Sequence, residues 1–265
     1  MTPEQAELVE RARTLLESGP RIEAAWLAGS LAHGGGDAWS DVDLLALCAE
    51  GSRGEVSQVL AAAIRDAFEP LLLNILFGGA VLNVVAPGWQ RFDISLAEPA
   101  ELNRYEEARL TELFNRTGAQ PTGRFPAIYA PSAQSLLPLA EEFLRVLGLA
   151  PVVLGRRDYV VMLSGIDNLR RLTTDLMLEE NRIGPWGRGG ALKRRALLTA
   201  EQYRELESLP PLRAEPASLK ANNEALAALF LPRAKRLCAE AEVEWPQRLE
   251  DATRAHLAET VGYSI

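Results

Sequence analysis

The sequence predicts an α+β chain: an N-terminal mixed sheet with helices behind it, followed by a C-terminal α-helical bundle. Three observations predict it. Short β-like runs punctuated by glycine turns lie within residues 1–110, whereas the remainder reads mainly as amphipathic helix. Charge divides at the same place. Residues 1–110 hold 8 Lys+Arg and 17 Asp+Glu (net -9), which leaves 20 and 19 of the totals 28 and 36 (net +1) for residues 111–265. Finally, the stretch Thr117 to Pro131 is rich in Pro and Gly and reads as a linker. The expected division is therefore a mixed α/β domain over 1–110 and a helical domain over 111–265.

The elements follow in order. Pro3 to Ser18 places Leu8, Ala12, Leu15 and Leu16 on one helical face. Strands are expected at Ala24 to Ala28 and Val42 to Leu47, then a helix at Glu55 to Phe68. Leu71 to Phe77 and Val81 to Val85 read as strands around Gly78-Gly79, and Pro87-Gly88 turns the chain into Arg91 to Leu96. Helices are expected at about 100–115, 133–147, 156–181, 200–208, 217–240 and 246–260. Ile183 to Gly190, with four glycines and a proline, reads as a loop between helices.

Composition excludes several classes. With 48% hydrophobic and 24% charged residues over 265 positions, the chain is neither collagenous nor disordered. A net charge of -8 argues against a protein that grips a long polyphosphate backbone, so nucleic acid is not the expected partner. Two cysteines, Cys48 and Cys238, rule out a disulfide framework or a cysteine zinc cluster, which makes a reducing cytoplasm the expected compartment. His33 and His256 are too few for a three-histidine zinc site. Met1 to Arg13 is acidic and helix-like with no apolar stretch, so no signal peptide is expected there. The longest apolar stretch, Leu71 to Val85, is interrupted by Asn74, Gly78, Gly79 and Asn83 and falls short of the roughly 20 residues a membrane helix needs. No membrane partner is expected.

The chemistry lies between Leu27 and Leu44. A strand ends at Gly29-Ser30, where glycine lets backbone N–H groups approach an anion and the serine hydroxyl adds a donor. Eleven residues beyond Ser30, Asp41 and Asp43 head a strand at i and i+2. Period-two alternation puts both carboxylates on one face while Val42 and Leu44 face the core. Two like charges so close are costly unless a cation is shared, and oxygen-only ligands suit Mg²⁺ or Mn²⁺. A third carboxylate, Asp93, sits between the core residues Phe92 and Ile94 and shares its strand face with Arg91 and Ser95. Were this strand to pair beside the first, three carboxylates would converge next to a phosphate-binding turn, as two-metal phosphoryl or nucleotidyl transfer requires.

Gly29-Ser30, a spacer, Asp41-Val42-Asp43 and the later Asp93 resemble the nucleotidyltransferase superfamily of the polymerase β type. The resemblance covers about the first 110 residues. It implies a small mixed sheet with helices behind it, Gly29 and Ser30 holding a nucleoside triphosphate, Asp41 and Asp43 binding two Mg²⁺ ions (or Mn²⁺), and Asp93 binding the ion nearer the nucleophile. A short acidic catalytic domain followed by a helical half is similar to the bacterial nucleotidyltransferases that adenylylate aminoglycosides or lincosamides. Asp167 to Arg171, Leu178 to Asn181 and Arg188 to Leu192 also resemble that group. The expected reaction is transfer of NMP, AMP from ATP first among them, to a hydroxyl of a small molecule, in a pocket that the helical half helps to shape. A transferase acting on tRNA or protein, and a non-catalytic nucleotide-binding module of the same fold, are the alternatives.

Other residues carry plainer expectations. Asp37 is expected to brace its loop and His33 to be a solvent or packing detail. The clusters Arg156-Arg157, Arg170-Arg171 and Lys193 to Arg195 read as solvated or salt-bridged helix faces. Trp186 to Gly190, with Arg188, is the one loop expected to be able to close over a nucleotide. Glu98, just beyond the Asp93 strand, is the next carboxylate in line should Asp93 not serve.

Overall fold

The computed structural model describes residues 1–126 and 128–265, and the chain divides into two compact units, Met1–Phe125 and Pro126–Ile265. In the first unit α1 (Pro3–Ser18) starts from a capping box: the Thr2 hydroxyl accepts from Gln5 N at 3.2 Å and Gln5 Oε1 accepts from Thr2 N at 2.7 Å. Strand β1 (Ile22–Ala28) runs into α2 (Gly29–Ala32), a single helical turn, and β2 (Val42–Cys48) into α3 (Arg53–Phe68). Strands β3 (Leu72–Leu76), β4 (Val81–Ala86), β5 (Gln90–Ala97) and β6 (Thr111–Asn115) complete the unit.

These strands form one sheet in the order β3-β4-β5-β2-β1-β6. The β2–β5 pair is parallel, and the remaining pairs are antiparallel. Alternation gives the sheet two different faces. Val42, Leu44, Ala46, Phe92, Ile94, Leu82 and Val84 pack with the apolar sides of α1 and α3 into the larger core. Leu45 and Leu47 point to the opposite face, where they meet Trp26, Ala97 and Leu102. Asp43 and Asp93 belong to this second face by parity, toward the start of the same strands.

The expected helix over 100–115 does not form. Pro99–Arg104 and Glu107–Arg109 are 3₁₀ turns, and the chain then enters β6, which pairs with β1 through Trp26↔Glu112 and Ala25↔Phe114. The Glu, Arg and Leu content favours a helix locally, but an open sheet edge and burial of Phe114 outweigh it. The boundary moves accordingly. Thr122 N donates to Leu102 O and Gly123 N to Tyr105 O, so the segment up to Phe125 belongs to the first unit. The division falls inside the expected linker and not after residue 110.

The second unit is helical: α4 (Ala133–Gly148), α5 (Ala150–Arg156), α6 (Tyr159–Glu180), α7 (Ala200–Glu207), α8 (Pro216–Glu240) and α9 (Gln247–Val261). The expected helix over 156–181 is broken after Arg157, whose φ of 56° ends α5, and Asp158 caps α6 by accepting from Val161 N at 3.2 Å. Leu136, Phe143, Ile166, Leu169, Leu226 and Phe230 are among its buried residues, with Phe143 and Phe230 stacked at 3.8 Å between centroids. Among the described residues no helix is long and apolar enough to cross a membrane, and Cys48 and Cys238 are buried free thiols.

Candidate active site

The site is assembled where β1 ends and β2 and β5 begin. Ala28, the last residue of β1, is the register partner of Asp43, and the next residue, Gly29, adopts a φ of 63°. A β-carbon at that position would lie 2.7 Å from Asp43 Cγ and 2.9 Å from its Cβ. Glycine is therefore required twice, by the left-handed backbone and by the space that the aspartate fills. The turn is pressed against the carboxylate, and the following Ser30 carries a buried hydroxyl oxygen that has no hydrogen-bond partner in the protein.

The parallel β2–β5 register places Asp43 directly opposite Asp93. In a parallel pair, residues in register share a face, so the two carboxylates stand side by side across one strand spacing. On its other flank Asp93 is in register with Asn83 of β4, whose Nδ2 donates to Asp93 Oδ1 at 2.6 Å. Burial pushes the Asp93 carboxyl above its ordinary value. The Asn83 bond pulls it back, the nearby negative charge of Asp41 pushes it up again, and Arg91 counters that. Asp41, immediately before β2, is thus electrostatically coupled to Asp93. All three carboxylates are half-buried.

The loop between α2 and β2 is held from two sides. Gln5 Nε2 donates to Asp37 O at 2.8 Å and to Ser40 O at 2.9 Å. Arg91 Nη2 donates to Trp39 O at 2.8 Å, which ties the loop to the start of β5. The Asp37 carboxylate accepts from Trp39 N and from the Ser40 hydroxyl, both at 2.9 Å, and these bonds hold it below the usual carboxylate range. Asp37 braces the loop, as its position suggested. His33 is exposed.

The structure brings Gly29, Asp43 and Asp93 together, with Ser30 following on the same turn and Asp41 within electrostatic reach. Among the described residues no three acidic, histidine or cysteine side chains form a metal-binding group, and Asp93 Oδ1 is engaged on the β4 side by Asn83. In kind, the donors fit a hard divalent cation: they are oxygen-only, Asp43 and Asp93 stand side by side on one face with Asp41 in electrostatic reach, and an orphaned buried hydroxyl accompanies them. Glu98 stands apart, accepting from Arg53 N at 3.4 Å and lying 3.8 Å from that arginine's guanidinium.

No family model matches the sequence, and no curated protein does. Among solved structures, the chain is similar to an aminoglycoside 6-adenyltransferase from Bacillus subtilis, at 15% identity and a TM-score of 0.45, over 97% of this chain and 98% of that one. It is also similar to a STING-associated CdnE c-di-GMP synthase from Capnocytophaga granulosa, at 14% identity and a TM-score of 0.31, over 91% of this chain and 83% of that one.

In the second unit two of the clustered arginines, and Arg188 of the glycine-rich loop, pair with carboxylates of α6. Arg194 bonds Asp175 at 2.7 Å, Arg171 bonds the other oxygen of Asp175 at 2.9 Å, and Arg188 pairs with the buried Glu179 while its Nε donates to Ile183 O at 3.1 Å. Glu179 also accepts from Tyr129 Oη at 2.7 Å and Ser135 Oγ at 2.9 Å. Tyr129, Ser135, Asp175, Glu179, Arg188 and Arg194 border a cleft of about 620 Å³ together with Trp186.

Two contributors to the site escaped sequence reading. Gln5 reaches the loop from a helix that reads only as amphipathic. Asn83 did leave a signal, since it is the polar residue in an otherwise apolar run, Val81 to Val85. Its meaning depends on which strand lies beside it.

Proposed function

We propose that this chain is a divalent-metal-dependent nucleotidyltransferase that moves NMP, most simply AMP from ATP, onto a hydroxyl group of a small molecule. The observation that carries this reading is the pairing of Asp43 with Asp93 across parallel strands, against a turn that only glycine can make. In the reaction the acceptor's hydroxyl oxygen bonds to the α-phosphorus. The bond from that phosphorus to the bridging oxygen breaks, and pyrophosphate leaves with the electron pair. The proton of the hydroxyl passes to a base.

Each residue has a part in this reading. The turn at Gly29 and Ser30 seats the triphosphate through backbone N–H groups and the Ser30 hydroxyl, which has no protein partner to give up. Asp41, Asp43 and Asp93 would hold Mg²⁺ or Mn²⁺, whose chemistry is to neutralise phosphate charge and ease loss of the hydroxyl proton. Asp93, side by side with Asp43 on the sheet face, is the residue assigned to accept that proton. Residues 126–265 bind the acceptor, and the buried free thiols suit a cytoplasmic setting. An aminoglycoside- or lincosamide-like molecule is the acceptor class to test first; tRNA, protein or no acceptor at all are the rival outcomes.

The test is calorimetry of ATP binding in Mg²⁺ and in EDTA at matched ionic strength, followed by pyrophosphate release over a panel of acceptors. ATP affinity should fall at least tenfold in EDTA, because unscreened carboxylates repel the triphosphate. Asp41→Asn and Asp43→Asn should each lower transfer by orders of magnitude at unchanged or higher Tm, since relief of like-charge repulsion favours the fold. Equal ATP affinity in both buffers, or an active Asp41→Asn/Asp43→Asn double variant, would overturn the proposal.

A further inference from the structure

Asn83 is an unfavourable residue for its place. It occupies a strand whose neighbours are Leu82 and Val84, both fully buried, and asparagine is depleted in strands because its amide competes with the ladder. A half-buried amide also costs desolvation unless it is bonded. A β-branched apolar side chain would serve the sheet better. What the amide does is donate to Asp93 Oδ1 at 2.6 Å, a short bond to a carboxylate in direct cross-strand register. The bond commits one oxygen of Asp93 to the β4 side and limits the carboxylate's rotation about its own χ2.

We infer that Asn83 is a positioning residue for Asp93: its amide locks the carboxylate so that Oδ2 is the oxygen offered to a divalent cation. The inference rests on the proposed function, and it adds a member to the site from a strand that carries no acidic residue. Residues that orient a coordinating carboxylate typically change metal affinity or activity by about 10- to 100-fold when they are removed. A purely architectural asparagine would behave differently, with its loss read in Tm and not in ion binding.

The experiment measures Mn²⁺ binding to the full chain without nucleotide, by electron paramagnetic resonance, for the wild type, Asn83→Leu, Asn83→Ala and Asn74→Leu. Asn74 is the register partner of Asn83 on β3, one strand further from Asp93, so its substitution makes the same chemical change away from the carboxylate. Both Asn83 variants should weaken Mn²⁺ binding at least tenfold, and Asn74→Leu should stay within twofold. Asn83→Leu should hold or raise Tm. Where an acceptor is known, the Asn83 variants should lower kcat with little change in KM for ATP. Should Asn83→Leu fail to fold, Asn83→Ala is read against the same threshold. Mn²⁺ affinity within twofold of wild type in a folded Asn83 variant overturns the inference and leaves the proposed function standing. Equal losses of binding and Tm in all three variants overturn it as well. A wild-type chain with no saturable Mn²⁺ binding removes the metal-dependent reading itself, and the inference with it.

Discussion

Gly29 shows how much one residue can constrain. Its φ of 63° lies where a β-carbon clashes with the backbone, and the space that carbon would take is already filled by Asp43. Gly29→Ala should therefore destabilise the first unit by about 1–3 kcal/mol, and the displaced Asp43 should lose its alignment with Asp93. The expected result is a lower Tm together with loss of Mg²⁺-linked ATP binding, measured by thermal unfolding and calorimetry. Retention of both at wild-type values would show that the turn does not touch the site. The placing of Gly29, Ser30, Asp41, Asp43 and Asp93 at strand ends or alternating positions was legible in the sequence, and the structure has them there. Asn83 was not, since a lone amide in an apolar run says nothing about its neighbour until the strand order is known.

At the level of elements, the helices and strands with strong local signals match their expected ranges closely. Pro3–Ser18 has its Thr2 cap and its apolar face, and Val42–Cys48 and Gln90–Ala97 extend their predicted strands by a residue or two. The 100–115 segment failed because its strand pairs with β1, which is distant in sequence. The junction of α8 with α9 supports a quantitative expectation. Glu250 is 1% exposed and accepts from Lys235 Nζ at 2.8 Å, Arg254 Nε at 2.8 Å and Trp245 Nε1 at 2.6 Å. Burial pushes its carboxyl up, but these three donors outweigh burial and hold it below the ordinary range. A carboxyl depressed in the folded state stabilises the fold above its unfolded value, near about 4.3, and that stability fades as pH falls through the folded value. Glu250→Gln should thus cost about 1–3 kcal/mol at pH 7, and the gap to wild type should narrow below about pH 4. Urea unfolding at pH 7 and pH 3 checks it; a gap that widens toward acid would contradict this account.

For the whole molecule, the position of the division has a direct consequence. A fragment ending at residue 110 lacks β6 and leaves the backbone groups of β1 unpaired along an open edge, which is a template for association. A fragment ending at Phe125 keeps β6 and the Thr122 and Gly123 bonds that fasten the chain behind it. Residues 1–125 should unfold cooperatively as a monomer by size-exclusion chromatography and circular dichroism, whereas residues 1–110 should aggregate or unfold at markedly lower temperature. Equal behaviour of the two would place the boundary back at 110. Nucleotide binding should survive in the longer fragment, and acceptor-dependent turnover should not.

What could be read from the residues alone was local chemistry: which segments alternate, where the chain turns, and which carboxylates share a face with which neighbours along one strand. Those properties depend on contacts within a few positions, so composition and period carry them. The adjacency of β5 to β2, which sets Asp93 beside Asp43, could be stated only as a condition, and the placement of β4 and β6 lay further out of reach. Strand order is chosen by burial summed over the whole sheet, in which α1 and α3 cover one face while the other carries a smaller apolar cluster with Asp43 and Asp93 toward the start of the same strands. No stretch of sequence records that sum. It arises when residues some 50 positions apart are brought to one strand spacing, as Asp43 and Asp93 are.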